Sequence, residues 1–262
     1  MPVRVASEFS AEVGGLLAES SVSELKWKKL KSARDRMAAQ KVLRAFCARA
    51  DRGEVRADTL IWDFNDSRHA IRGRDDHENL GRIYYHLCMA VLRDRWPAGG
   101  IWSVYPDEFA QMAWDELAQI LRHQGFKVGL QFGRILDAPA NGFQVQEIKP
   151  LVSADEPLVQ VADLFAGMAV YSRASYEKLE AWERDNGQMG LFDDGNPVTL
   201  NARDRERWVI IDELKRIADA RKWGVSLSST RGLESRDPTR GRANFWFYVP
   251  QHELDKAPVK LR

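Results

Sequence analysis

Apolar positions recur at intervals of three and four through much of the chain, and short alternating or wholly apolar runs interrupt them. The first pattern predicts amphipathic helices over residues 7–20 and 31–50, the latter with Met37, Val42, Leu43, Phe46 and Cys47 inward. "DTLIWDFND" then predicts a strand at roughly 58–64, and a helix follows over 78–94, carrying Leu80, Ile83, Tyr84, Leu87, Met89 and Val91. "GIWSVYPDE" predicts a strand, with Pro106 and Asp107 opening a helix that runs through Leu121 and stops at Gly125. "GLQFGRILDA" and "GFQVQEIKP" flank the turn-rich "DAPANG" and predict a hairpin. A helix begins after Pro157, another covers 203–222, and the strands "GVSLS" and "ANFWFYV" close the chain.

Strands alternating with helices predict an α/β layered domain. We expect one domain over residues 1–262, with a loop insertion near 184–202, where "RDNGQMGLFDDGNPVTLNA" is rich in Gly, Asn and Asp. No internal repeat is visible. A chain of 262 residues with 44% hydrophobic content can bury a sizeable core, and a formal charge of +1 leaves any polyanion to be recruited by a local patch. Cys47 and Cys88 lack metal-ligand spacing and suit a reducing compartment, as core thiols. There is no cationic leader ahead of an apolar stretch, and no run of about 18 apolar residues. The expectation is a cytoplasmic protein that does not engage a membrane.

The chemistry is concentrated in "EPLVQVADLFAGMAVYSR", residues 156–173. Leu158, Val161, Ala162, Phe165, Met168 and Ala169 form a core-facing stripe, yet Asp163 lies among them. A buried unpaired carboxylate is costly, so Asp163 must be neutralised, paired with a cation or turned to a wet cleft. Other acids sit where elements end: Asp63 after Leu60, Ile61 and Trp62, Asp107 after the strand of Trp102, Val104 and Tyr105, and Glu24 in "SELKWKKL". Strand ends are where α/β sheets present catalytic groups. Three or four carboxylates converging on one point would repel one another unless divalent cations lay among them, which would make a phosphoryl-transfer site. The plainer alternatives are caps or turn residues for Asp63 and Asp107, and a buried salt bridge for Asp163.

Several other chemistries are absent. There is no Gly-rich phosphate loop, no pair of His on one helical turn and no Cys pair suited to zinc, and the five His are scattered. Two basic segments remain. Lys28, Lys29, Lys31, Arg34, Arg36 and Lys41 crowd the chain after Glu24, and Arg231, Arg236, Arg240 and Arg242 crowd a loop before the final strand. Either is a solvated surface or a contact for phosphates.

"ELKW" at 24–27, "PLVQVADLFAG" at 157–167 and the closing "ANFWFYVPQ" resemble, in that order, the signature segments of the domain of unknown function 3800 family. The resemblance covers almost the whole chain, and its most specific motif is the Gln-x-Ala-Asp-Leu helix. It implies a ribonuclease H-like fold, with a mixed sheet flanked by helices, and a bacterial metal-dependent nuclease or related phosphoryl-transfer enzyme acting on DNA or RNA. Carried over by position, Asp163 and Glu24 would be acids of the site, with Asp63 and Asp107 supplying the rest. Glu24, Asp107 and Asp163 would hold Mg²⁺ or Mn²⁺, and Lys26, Lys28, Lys29, Lys31 and Gln160 would contact substrate. Members of that family begin with a strand bearing Asp-Glu-Ser and a hairpin that "MPVRVASEF" would follow, so the resemblance implies a site and sheet short of that hairpin, or a start further upstream. Two alternatives follow: a nucleic-acid- or protein-binding module that keeps the fold without catalysis, and a metal-dependent hydrolase of nucleotides.

Overall fold

The long apolar stripes fold as helices, and their caps explain where they start. In the computed structural model, which describes residues 1–63, 66, 75–132, 142–180 and 200–249, α1 (Val3–Glu19) buries Phe9, Val13 and Leu17 at a spacing of four. Helix α2 (Ala33–Asp51) opens on a capping box in which Ser32 and Asp35 each satisfy the other's backbone N–H. Its buried stripe is Ala38, Ala39, Val42, Leu43, Phe46, Cys47 and Ala50. Met37, expected inward, is 54% exposed because it lies one position off that stripe.

The structure is mixed α/β. After α2 come β1 (Ala57–Ile61), α3 (Asp76–Asp94), β2 (Ile101–Val104), α4 (Trp114–Phe132), β3 (Gln144–Ile148) and α5 (Pro157–Ala174). Helix α6 (Ala202–Ala220) and strands β4 (Val225–Ser228), β5 (Gly232–Ser235) and β6 (Ala243–Phe247) complete it. Among the described residues the strands pair two by two, β1 with β6, β2 with β3 and β4 with β5. The loop expected near 184–202 lies almost wholly outside the described residues. Two compact units emerge, Met1–Thr59 with Ser153–Phe245, and Leu60–Val152 with Trp246–Arg262.

In the first unit α5 lies against α1, α2, α6 and β5. It buries Val159, Val161, Leu164, Phe165, Met168 and Ala169, while Trp208, Ile210, Ile211 and Leu214 of α6 are also sealed from solvent. Strand β5, absent from the sequence expectation, runs antiparallel to β4 with Leu227 opposite Leu233. The Leu233 N–H donates to Ser172 Oγ of α5 at 2.9 Å, and Gly232, at φ 66°, lets the backbone close on Arg173.

The second unit is built on a strand–helix–strand element. β2 pairs with β3 in parallel, Ile101 opposite Gln144 and Val104 opposite Ile148, with α4 connecting them. Leu117 and Leu121 of α4 pack with Phe143, Val145, Met89, Leu92 and Met112. This corrects two expectations. Residues 129–132 continue α4 rather than forming one arm of a hairpin, so β3 takes its partner from β2; the "DAPANG" turn falls outside the described residues. Helix α4 also starts at Trp114 rather than at Pro106, because Asp107 is held extended by a bridge to Leu151, and it runs through Gly125, where the Phe143 carbonyl approaches too closely for a Cβ.

A second close approach fixes a short segment to α5. The 3-10 turn η1 (Trp27–Lys29) buries the Trp27 ring against Gly167, where an added Cβ would fall inside the van der Waals envelope of Trp27 Cγ and Cβ and 2.7 Å from Cδ1. Helix and ring are both rigid, so Gly167→Ala should destabilise the chain by about 1–3 kcal/mol, the usual cost of overpacking. Urea unfolding would measure it, and an unchanged midpoint would show that Trp27 does not pack there.

Candidate functional site

Glu24–Lys26 have no secondary structure of their own, and Trp27 only opens η1, so the N–H groups of this stretch need partners elsewhere. Two come from one face of α5. Leu25 N–H donates to Gln160 Oε1 and Trp27 N–H to Asp163 Oδ2, each at 2.7 Å. The spacing explains the pairing: residues 160 and 163 stand one helical turn apart, while the amides of 25 and 27 point the same way along an extended chain. Gln160 is fully buried, and its other end, Nε2, donates to Ser153 O at 2.8 Å. Asp163 is half-buried, and among the described residues the Trp27 amide is its partner. The acid in an apolar helix therefore anchors a backbone amide.

Glu24 is just as occupied. Lys29 Nζ reaches Oε2 at 2.5 Å, while Lys26 Nζ at 3.4 Å and Ser153 Oγ at 3.1 Å approach Oε1. The Lys29 hydrogen bond, foremost, holds the Glu24 carboxyl below its ordinary range. On the other side of Trp27, Arg207 of α6 donates through Nη2 to Trp27 O at 2.8 Å and to Lys28 O at 3.3 Å. Its guanidinium lies 5.5 Å from the Trp27 ring centre and 5.2 Å from that of Tyr171. Tyr171 meets Trp27 edge-on and donates its hydroxyl to Asp204, so burial and that carboxylate raise the phenol above its ordinary value. Arg207 had no signal in the sequence, since its partners are 180 residues away and "ARDRERW" reads only as an amphipathic helix.

The other predicted acids belong to the second unit. Asp63 lies two residues beyond β1, and its carbonyl accepts the Asp66 N–H at 3.0 Å. Asp107 is exposed, and its Oδ1 accepts the Glu108 N–H at 3.1 Å. The first unit thus brings Glu24, Gln160, Asp163, Lys26 and Lys29 to one segment. Exposed Lys28 and Lys31 flank it, and like Arg34 and Arg203 they have no ion pair among the described residues.

These acids do not fit a divalent-metal centre as they are placed. Mg²⁺ and Mn²⁺ need several free oxygens, whereas both Glu24 oxygens carry ammonium groups and one Asp163 oxygen carries an amide. Among the described residues no three His, Cys, Asp or Glu side chains gather as metal ligands. What the arrangement does is tie a basic segment to α5 through two backbone amides.

No protein-family model matches the chain, and no solved structure does. Two archaeal proteins do, both from Methanothermobacter thermautotrophicus. The uncharacterized protein ORF2′ is 37% identical over 268 residues, which span 99% of this chain and 90% of that protein. The uncharacterized protein ORF2 is 35% identical with the same coverage.

Asp163→Ala should cost about 1–3 kcal/mol, because the Trp27 amide loses its acceptor, and Asp163→Asn less, because an amide oxygen can still accept. Denaturant midpoints with and without Mn²⁺ check this, and an Mn²⁺-dependent gain confined to wild type would mark Asp163 as a metal ligand. For Glu24 the folded carboxyl binds its proton more weakly than the unfolded one. Its contribution is therefore present above the unfolded value, near pH 4.3, and lost as pH falls through the folded value. Wild type should exceed Glu24→Gln in stability at pH 7, with the difference closing below about pH 4; a constant difference would show that the pairing is not what Glu24 contributes.

Proposed function

We propose that this chain, which belongs to the family of the ORF2′ and ORF2 proteins of Methanothermobacter thermautotrophicus, binds nucleic acid through its phosphate backbone, on a fold of ribonuclease H-like kind. The observation that carries the reading is an imbalance of charge around η1. Glu24 is matched by Lys26 and Lys29, and Glu206 lies 2.8 Å from Arg36. Asp204 pairs with Lys178 at 2.8 Å. Lys28, Lys31, Arg34 and Arg203 are exposed and have no acid among the described residues. A strip tied down through its backbone and carrying surplus cations suits a polyanion.

The fold assignment is supported by contact between the two most specific motifs of the resemblance, since Glu-Leu-Lys-Trp docks on Gln-x-Ala-Asp through Gln160 and Asp163. Trp27 is buried under Arg207 and is a poor platform for a base, which favours phosphate contact over base reading. Metal-dependent hydrolysis is the second reading. In its favour is Asp163 Oδ1, which has no partner among the described residues. It would need Mg²⁺ or Mn²⁺ and further carboxylate oxygens.

Fluorescence anisotropy with short single-stranded and duplex oligonucleotides tests the first reading. Affinity should fall steeply with salt, each phosphate contact adding about 0.7 (single strand) to 0.9 (duplex) to the slope of log K against log salt. Replacing Lys28, Lys31 and Arg34 with Gln should reduce the slope by roughly 2–3 without altering sequence preference. No binding at low salt by wild type would overturn the proposal, and Mn²⁺-dependent cleavage lost in Asp163→Asn would promote the second reading.

A further inference from the structure

The second basic segment forms a cavity of its own, which the strip around η1 does not use. Where α6 ends, the chain turns through Arg221, Lys222, Trp223 and Gly224, with Lys222 at φ 57° and Gly224 at φ 75°. Facing that turn is the β5–β6 connection, residues 236–242. Between them lies an open cavity of about 440 Å³, lined by Arg221, Lys222, Arg236, Arg240, Arg242 and Asp237, with Trp223 and two glycines.

The two walls are built rather than loose. The Arg221, Lys222 and Trp223 amides donate to the Ile217, Asp219 and Ala218 carbonyls, so the negative end of α6 is largely capped by backbone. On the other wall, Asp237 Oδ1 accepts both the N–H and the hydroxyl of Thr239. The Arg56 guanidinium, with a side chain only 7% exposed, donates to the Pro238 and Thr239 carbonyls at 3.3–3.4 Å and ties the loop down from beneath. Gly241 approaches Asn244 and the Trp223 carbonyl so closely that no Cβ fits.

The cations outnumber their acids. Arg221 pairs with Asp51 at 2.9 Å and Arg240 with Asp237 at 3.4 Å, whereas Lys222, Arg236 and Arg242 have no acidic partner among the described residues. Like charges held together without a counter-ion destabilise the fold, and an anion with several oxygens relieves that repulsion while accepting directed hydrogen bonds from arginine. Trp223 is 9% exposed, and Arg221 lies 5.4 Å from its ring centre, so no ring is free to stack on a base.

We propose that this cavity is a second anion site, which binds consecutive phosphate groups and does not read a base. The same chemistry comes from two sources, a free polyphosphate or nucleotide tail and the backbone of a bound strand. The site is argued from residues separate from Lys28, Lys31 and Arg34, so it can hold or fail independently of the strip.

Calorimetric titration of the full chain with inorganic triphosphate, at low salt and without divalent metal, tests it. Wild type should bind saturably near one to one. Lys222→Asn with Arg236→Gln removes two unpaired, exposed cations, and Asn suits the left-handed backbone at 222. That variant should bind roughly a hundredfold more weakly, since each of the two charge-assisted contacts to phosphate counts for about a factor of ten. Arg4→Gln, at an exposed cation of α1 outside both basic segments, should bind triphosphate as wild type does. Should the double variant misfold by circular dichroism, Arg240→Gln, at an exposed loop position, takes its place. A short single-stranded oligonucleotide that displaces triphosphate would identify the strand backbone as the source, and one that does not would identify the free polyphosphate. No saturable binding to wild type, or equal affinity in the folded cavity variant, would overturn the proposal.

Discussion

Two backbone N–H groups, at Leu25 and Trp27, are held by two side chains of one helix, Gln160 and Asp163, and much of the first unit's exposed chemistry depends on that attachment. A hydrogen bond to a charged acceptor contributes about 1.5–3 kcal/mol when partly buried, whereas an exposed Lys–Glu pair contributes about 0–1. The clamp therefore governs where Glu24, Lys26 and Lys29 sit, and those ion pairs follow from it. Gly167 completes the attachment by admitting the Trp27 ring where a Cβ would collide, and Arg207 closes over the other side through the Trp27 carbonyl.

The consequence is electrostatic. Glu24, Asp163, Asp204 and Glu206 all have partners, each engaged for structural reasons, while neighbouring exposed cations are left without acids among the described residues. A chain of net charge +1 thereby acquires a local surplus on η1 and the starts of α2 and α6, and another at the end of α6. Nearly neutral composition and a locally cationic surface are compatible because charge sorting, rather than charge excess, makes the patch.

Much of the helical fold was legible because each long helix carries its own signal. The apolar stripe read over 31–50 falls on α2, and the helix expected after Pro157 is α5, which starts at Pro157 itself. Pairings were harder, since "GLQFGRILDA" and "GFQVQEIKP" satisfy a local hairpin pattern, yet helical periodicity carries α4 through residue 132 and β3 finds a parallel partner in β2. The short strand β5 was invisible, its four residues being defined by Ser172 and β4 rather than by alternation. At the site, sequence identified Asp163 as anomalous and Glu24–Trp27 as a companion motif, but not that the two bond to each other through a backbone amide, which no side-chain pattern reports. Arg207 and the turn at Arg221 and Lys222 became relevant only when α6 packed on the first unit's core.

The central claim is that α5 clamps the Leu25 and Trp27 amides, and residue-resolved hydrogen exchange of the full chain tests it most directly. Both amides should be protected to a degree comparable with the α5 interior, opening with it, and Asp163→Ala should release Trp27 while leaving Leu25 protected by Gln160. Exchange of both amides in wild type at the rate of free chain would contradict the account, since the segment would then be neither held nor able to present its lysines in a fixed array.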